Sequence, residues 1–355
     1  MTTPSTPLRF SSDAQPGYAR IRRGERFAYR DSRGRAVRDA EAILRIRSLA
    51  IPPAWTDVWI SPDERGHLQA TGRDARGRKQ YRYHPHYRAE REAGKFSHLR
   101  EFGEALPAIR AQVRADLARD GMPREKVLAI LVQLLERTAI RVGSEKYVRA
   151  NDSFGLTTFR NKHVKVRGPR IEFDFRGKGG KAHRIAIDDP RLAQLVRRCR
   201  DLPGYELFQY VDESGVRRSI GSDDVNEYLR DISGAEITAK VFRTWIGSVC
   251  AACALARAPD PLARAALTGA IERASALLGN TPTICRKSYI HPSVLVPADW
   301  VPRLPARRKR HPGLSADEAL LMNALAIAEE SAKPRKPKAR NYKASRRRSA
   351  EPARA

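Results

Sequence analysis

The chain has 355 residues, with 68 Lys and Arg against 40 Asp and Glu, a formal net charge of +28 and a pI near 10.6. Such an excess points to a polyanionic partner, because each phosphate that a cation neutralises releases condensed counterions. An anionic membrane is disfavoured: the basic residues are interleaved with strand-like and loop-like sequence, and no long apolar stretch is expected to insert.

The length suits two domains, and a hydrophobic fraction of 41% is enough to bury a core. The opening Met1-Thr2-Thr3-Pro4-Ser5-Thr6-Pro7 lacks a basic segment followed by an apolar one, so no secretory signal is expected. Residues 1–15, rich in Pro, Ser and Thr, read as a disordered arm. From Gly17 to Tyr87 short β-like runs alternate with turn signals: Phe27–Asp31, Val58–Ile60 and His67–Ala70, then Asp74-Ala75-Arg76-Gly77. One helix-like stretch, Asp39–Leu49, interrupts them. Residues 16–90 are therefore expected to form a small β-rich domain.

Beyond Arg88 the period lengthens. Phe96–Asp120 and Arg124–Tyr147 carry apolar residues at helical spacing, among them Val127, Ile130, Leu131, Leu134 and Leu135. A β-hairpin follows, with Ile171, Phe173 and Phe175 alternating on one arm, Gly177-Lys178-Gly179-Gly180 at the turn, and Ile185 and Ile187 on the return. Helical patterns resume at Arg191–Cys199, Ser222–Ile232, Val241–Ala258 and Leu262–Leu278. Residues 91–331 are expected as a larger, mainly helical domain containing that hairpin, which makes the fold α+β. Residues 332–355, with ten Lys/Arg and one Glu, read as a disordered basic tail.

Several motifs have plain structural readings. Four cysteines, Cys199, Cys250, Cys253 and Cys285, are too few for a disulfide framework and fit a reducing cytoplasm. Cys250 and Cys253 form a CxxC inside an Ala/Leu-rich helical run with no second Cys or His pair, so they read as packed thiols. Asp188-Asp189 reads as a turn and Asp223-Asp224 as a helix start, and His84-Pro85-His86 as surface residues. There is no GxxxxGK[ST] and no recognisable His/Cys/carboxylate metal set. Phosphate chemistry, if present, would rest on cationic side chains, with no metal or small-molecule cofactor expected.

Three segments carry that possibility. Thr238-Ala239-Lys240-Val241-Phe242-Arg243-Thr244 leads into an apolar helix. Gly279-Asn280-Thr281-Pro282-Thr283-Ile284-Cys285-Arg286-Lys287-Ser288-Tyr289 sets a tyrosine nine residues after a polar side chain. Ile140-Arg141-Val142-Gly143-Ser144-Glu145-Lys146-Tyr147 puts an arginine at a helix end. Taken singly, Arg141 reads as a helix cap, Lys178 as a turn lysine, Arg243 as a carboxylate's partner and Tyr289 as core. Together, with Ile51-Pro52-Pro53-Ala54-Trp55, Gly77–Tyr83, Gly155–Thr158 and Asn161–His163, they occur in an order that resembles the type IB DNA topoisomerases, in the branch shared by poxviruses and bacteria. The resemblance covers about residues 40–295.

That resemblance implies relaxation of supercoiled duplex DNA by a monomer, without ATP or metal. Tyr289 corresponds to the nucleophile that leaves a 3′-phosphotyrosyl link and a free 5′-hydroxyl. Arg141 and Arg243 correspond to the arginines on the non-bridging oxygens, and Lys178 to the lysine that protonates the departing oxygen. Asn280 stands where the family often has His; an amide donates a hydrogen bond but cannot serve as an acid. Gln80, Tyr81 and Tyr83, with Arg78, Lys79 and Tyr147, are the implied DNA contacts. The chemistry agrees: a phenol with a pKa near ~10 needs a cationic setting to attack at neutral pH. Paired guanidiniums suit a phosphorane gathering charge on two oxygens. The expected location is cytoplasmic, on the nucleoid. The rivals are a site-specific tyrosine recombinase, usually marked by a His shortly before the second Arg, where this chain has Lys240-Val241-Phe242, and a non-catalytic architectural DNA-binding protein.

Overall fold

The computed structural model describes residues 7–94, 96–305 and 310–332, and their buried apolar side chains form two separate cores. The smaller core lies on an antiparallel sheet of β1 (Tyr18–Arg23), β2 (Arg26–Arg30), β3 (Thr56–Ile60), β4 (Leu68–Arg73) and β5 (Lys79–Tyr83), in the order β2-β1-β3-β4-β5. Gly24, at positive φ, supplies the tight β1–β2 turn. Helix α1 (Ala40–Ser48), whose first turn is capped by Asp39, buries Ile46 against Val58, Ile60 and Ala70. The Ile51–Trp55 motif forms a loop held by Arg20, whose guanidinium donates to the carbonyls of Ile51, Pro52 and Trp55.

Residues 7–15, within the expected arm, lie along this sheet. The Ser11 hydroxyl donates to the Leu68 carbonyl at 2.9 Å and accepts from its amide at 3.0 Å, and Asp13 takes the Thr71 hydroxyl. Short polar side chains thus engage sheet groups directly. Residues 1–6 of that arm, and 333–355 of the expected tail, lie outside the described residues.

After α2 (Pro85–Ala93) the larger core begins. It contains α3 (Leu99–Leu117), α4 (Arg124–Thr138), α5 (Glu145–Asn151), a three-stranded sheet of β6 (Val164–Arg167), β7 (Arg170–Arg176) and β8 (Ala182–Asp188), then α6 (Pro190–Asp201). A short hairpin of β9 (Gln209–Val211) and β10 (Arg217–Ser219) precedes α7 (Ser222–Ser233), α8 (Ala239–Ala256), α9 (Arg264–Leu278), α10 (Pro282–Ser288), α11 (Pro297–Trp300) and α12 (Ala316–Ala332). This is the α+β arrangement the sequence implied.

Helix α8 packs against α3, α4, α9 and α12. By length and composition it is also the one described helix apolar enough to cross a membrane, which corrects the expectation of no long apolar stretch. Its apolarity has a local explanation: Phe242, Trp245, Ala251, Ala252 and Leu255 are buried in the core, and Arg243 sits among them. Half-buried ion pairs tie its neighbours together. Arg110 on α3 reaches Glu136 on α4 at 2.6 Å and Glu318 on α12 at 2.7 Å, and Glu318 also accepts from the Trp245 indole. Cys253 lies in the same core, its thiol pushed up to about 12 by burial; all four cysteines are free.

Two differences from the sequence reading bear on the site. The pattern expected as one helix over Arg124–Tyr147 breaks after Thr138. Ala139 takes a left-handed conformation, and Thr138 turns its hydroxyl back onto the Leu134 carbonyl while accepting from the Ile140 amide. The chain then runs extended, and the carbonyls of Arg141 and Val142 accept from the amides of Leu156 and Thr157. Gly143, at φ +97, lies so close to Gly155 that a methyl group on Gly155 would fall 2.6 Å from the Gly143 Cα. The expected hairpin is likewise part of a three-stranded sheet in which β7 is the centre, and β6 on its other side adds Val164 to the core.

Candidate active site

Five polar side chains expected to work together arrive on separate elements. Arg141 comes from the extended segment after α4, and Lys178 from the β7–β8 turn, where Gly179 and Gly180 both adopt positive φ. Arg243 comes from the first turns of α8. Asn280 follows Gly279, whose φ of +64 ends α9, and Tyr289 caps the C-terminus of α10. The intervening α10 is locally specified: Thr281 accepts from the Ile284 amide as its N-cap, and Pro282 begins it.

Arg243 is the keystone. It is 4% exposed, and its guanidinium donates to the carbonyls of Ala139, at the end of α4, and of Leu278, at the end of α9. Helix C-termini present unpaired carbonyls and the negative end of the dipole, so one cation satisfies both. Its carbon lies 4.8 Å from the centre of the Tyr289 ring. Burial, with repulsion from Arg141, lowers its pKa to about 10, which still leaves it charged at neutral pH.

Arg141 donates to the Asn280 side-chain oxygen at 2.7 Å. This orients the amide: the oxygen is taken, while the buried Nδ2 has no hydrogen-bond partner among the described residues. Burial pushes the Tyr289 phenol up, but charge and hydrogen bonding from Arg243 and Arg141 outweigh it and bring it below its ordinary value. The site thus joins Tyr289, both arginines and Asn280 directly. Lys178 lines the adjoining cleft with Arg141 and Arg243, and among the described residues no carboxylate lines it.

The backbone around Tyr289 is fixed by close packing. A methyl group on Gly247 of α8 would fall 2.5 Å from the Tyr289 carbonyl, so only glycine lets the helix approach. One residue on, the Ser248 hydroxyl accepts from the His291 amide at 2.9 Å. Two further side chains at the site went unremarked in the sequence. Lys181 donates to the Gly279 carbonyl at 3.1 Å, and His183 lines the cleft beside Arg141. No motif marks them; only the β7–β8 register, which places His183 opposite Phe175, brings the imidazole there.

The expected DNA contacts fall on or near β5. Lys79, Tyr81 and Tyr83 share its exposed face, with the two tyrosine rings stacked at 6.0 Å. Gln80 falls on the opposite face and donates to Asp74 at 2.8 Å, as Arg78 also does at 2.7 Å, and Lys79 pairs with Asp13. Tyr147 is exposed on α5. The residues with plain structural readings do structural work: Asp189 caps α6, Asp224 accepts from the Gly221 amide, and His84 accepts from the His86 amide. Among the described residues no three His, Cys, Asp or Glu side chains cluster in a way that would hold a metal ion.

Residues 84–295 match the family model of the eukaryotic DNA topoisomerase I catalytic core, and residues 26–74 match that of the bacterial DNA topoisomerase IB N-terminal domain. The DNA topoisomerase 1B of Acanthamoeba polyphaga mimivirus is 31% identical over 285 residues, covering 77% of this chain and 85% of that protein. The DNA topoisomerase 1B of Vaccinia virus (strain Copenhagen) is 23% identical over 264 residues, covering 72% of this chain and 82% of its own length. The DNA topoisomerase 1 of Schizosaccharomyces pombe is 26% identical over 47% of this chain and 20% of that protein.

Proposed function

The chain belongs to the type IB DNA topoisomerase family and is a DNA topoisomerase, and from that premise we propose that it relaxes supercoils through a transient bond between Tyr289 and a DNA 3′-phosphate. Family membership favours this over the recombinase and architectural readings. The observation that carries the mechanism is the convergence of Arg243 and Arg141 on the Tyr289 phenol, with the Nδ2 of Asn280 unpaired beside them.

In the forward step the Tyr289 phenol, its ionisation favoured by the two guanidiniums, releases its proton to solvent water and its oxygen attacks phosphorus, so that a P–O(Tyr) bond forms and the P–O5′ bond breaks. The electron pair leaves with O5′, which takes a proton from the Lys178 ammonium. The two guanidiniums hold the non-bridging oxygens as charge gathers on them. Arg243 is prepaid for this role, since its orientation is fixed by two helix ends before DNA arrives. Resealing is the reverse: the 5′-hydroxyl returns its proton to the Lys178 amine as it attacks the phosphotyrosine, and the departing phenolate regains a proton from water. The diester energy is conserved in the covalent link, so ATP is not needed. Cationic side chains carry the phosphate charge in this scheme, which removes the need for a metal ion.

Duplex DNA is the substrate. We place edge strand β5, with Tyr81 and Tyr83 exposed, in a groove, and Tyr147 on the backbone beside it. Gln80, Arg78 and Lys79 reach DNA by exchanging their partners Asp74 and Asp13 for it. The same reading has the enzyme acting as a monomer on the nucleoid, in the cytoplasm.

The test is relaxation of negatively supercoiled plasmid in EDTA without ATP, with the covalent adduct trapped by denaturant. Relaxation with protein on the 3′ end of the nick is expected; dependence on added metal or nucleotide, or a 5′ linkage, would overturn the scheme. A second expectation isolates Asn280. If its free N–H meets a phosphate oxygen, Asn280→Ala slows cleavage by about 10²-fold. Single-turnover cleavage at the wild-type rate would remove it from the mechanism.

A further inference from the structure

The imidazole of His183 occupies a seat between two glycines. A methyl group built on Gly177 would fall 2.6 Å from its Cδ2, and one on Gly279 would fall 2.7 Å from its Cε1. Gly177 immediately precedes Lys178, and Gly279 immediately precedes Asn280. The ring is therefore the contact through which the turn carrying the lysine touches the turn carrying the amide. Its other face stacks on Phe175, directly across the β7–β8 ladder, with ring centres 5.2 Å apart and planes 13° apart. Lys181, on the same turn, fastens the two segments a second time through the Gly279 carbonyl at 3.1 Å.

We propose that His183 is a positioning residue that sets the distance between the Lys178 turn and the Arg141–Asn280 pair, and so places the lysine for proton transfer to the leaving oxygen. This rests on the reading of Lys178 as the proton donor. Two features indicate a spacer and not a second acid. Burial, followed by the charges of Arg141, Lys181 and Arg243, lowers the imidazole's pKa and so disfavours its protonated form. The ring also stacks on Phe175 and fills the space that a side chain on Gly177 or Gly279 would need. Backbone hydrogen bonds from the Gly177 amide to the Lys181 carbonyl and from the Gly180 amide to the Gly177 carbonyl close the turn, but Gly179 and Gly180 at φ +78 and +77 bring no side chain that would pack against Lys178. A proton donor displaced by about 1 Å can lose about 10²-fold in rate.

The test compares cleavage of two duplexes at the site the wild-type enzyme prefers, one with the natural phosphodiester and one with sulfur replacing the bridging 5′-oxygen. A thiolate leaves readily, since a thiol has a pKa near ~8.5, so the second duplex needs no proton donor. His183→Ala is expected to cleave the natural duplex about 10²-fold more slowly and to regain most of that loss on the sulfur duplex. Gly177→Ala is the second variant. Gly177 has an ordinary φ of −99, so the added methyl strains nothing except the ring's seat. It should show the same pattern, and in a His183→Ala background it should cost little more. Equal losses on both duplexes, wild-type cleavage of both by His183→Ala, or full additivity of the two substitutions would each overturn the proposal. Lys178→Ala separates the two readings. If it gains nothing from sulfur, the lysine is not the donor. If it recovers and the folded His183 and Gly177 variants do not, the positioning role falls by itself.

Discussion

Tyr289→Phe is expected to bind DNA as the wild type does and to relax none of it. Losing a covalent nucleophile costs on the order of 10⁶-fold in a site whose residues act as a unit, so no relaxation should survive on a plasmid gel. The substitution removes only the hydroxyl. The ring can keep its place against the Arg243 guanidinium, whose own hydrogen bonds run to Ala139 and Leu278, so Arg243 stays held without the phenol. Stability should change by no more than about 1 kcal/mol, the worth of one hydrogen bond. Relaxation and adduct formation are measured beside a binding isotherm. Adduct from Tyr289→Phe would mean that another side chain attacks, and lost binding would mean that the phenol anchors DNA.

The order of the motifs, and not any one of them, made Tyr289, Arg141, Lys178 and Arg243 legible in the sequence as a candidate site, and local signals accompany them. Thr281 and Pro282 announce the helix that ends at Tyr289, the glycines of the β7–β8 turn frame Lys178, and an apolar helix follows Arg243. What could not be read depends on contacts between distant segments. The break after Thr138 runs against good helical periodicity; it is held by Leu156 and Thr157 amides and by the approach of Gly143 to Gly155. Helix α12 carries Leu320, Leu321, Met322, Ala324 and Leu325 all buried, a pattern too continuous for one amphipathic face to stand out. The pairing of Arg141 with Asn280 spans 139 residues, and no spacing encodes it. That contact bears most on the departure from the family's usual His. In the proposed scheme two cations serve the phosphate, and the amide is turned so that its remaining polar end is a donor.

Arg243→Ala should show two losses at once, and their separation tests how this site is built. Catalysis should fall by about 10³-fold or more, because a charged donor facing a developing oxyanion is removed from a buried position. Stability should fall as well. The Ala139 and Leu278 carbonyls lose their cation inside the core, at about 1–3 kcal/mol for each group left unpaired. For a unit of this size that corresponds to a melting temperature lower by at least about 4 °C. Arg141→Ala is the contrast: its contact is with the Asn280 side chain and not with a helix end, so it should slow cleavage with little thermal penalty. Arg243→Lys decides whether charge or shape matters at the buried position. An ammonium keeps the charge but lacks the planar fork that spans two carbonyls and still faces the phosphate. Lysine is therefore expected to restore part of the stability and little of the rate. If it restores both, one point charge suffices; if Arg243→Ala melts like the wild type, the helix ends do not depend on this arginine, and its fixed orientation before DNA binding has no structural basis.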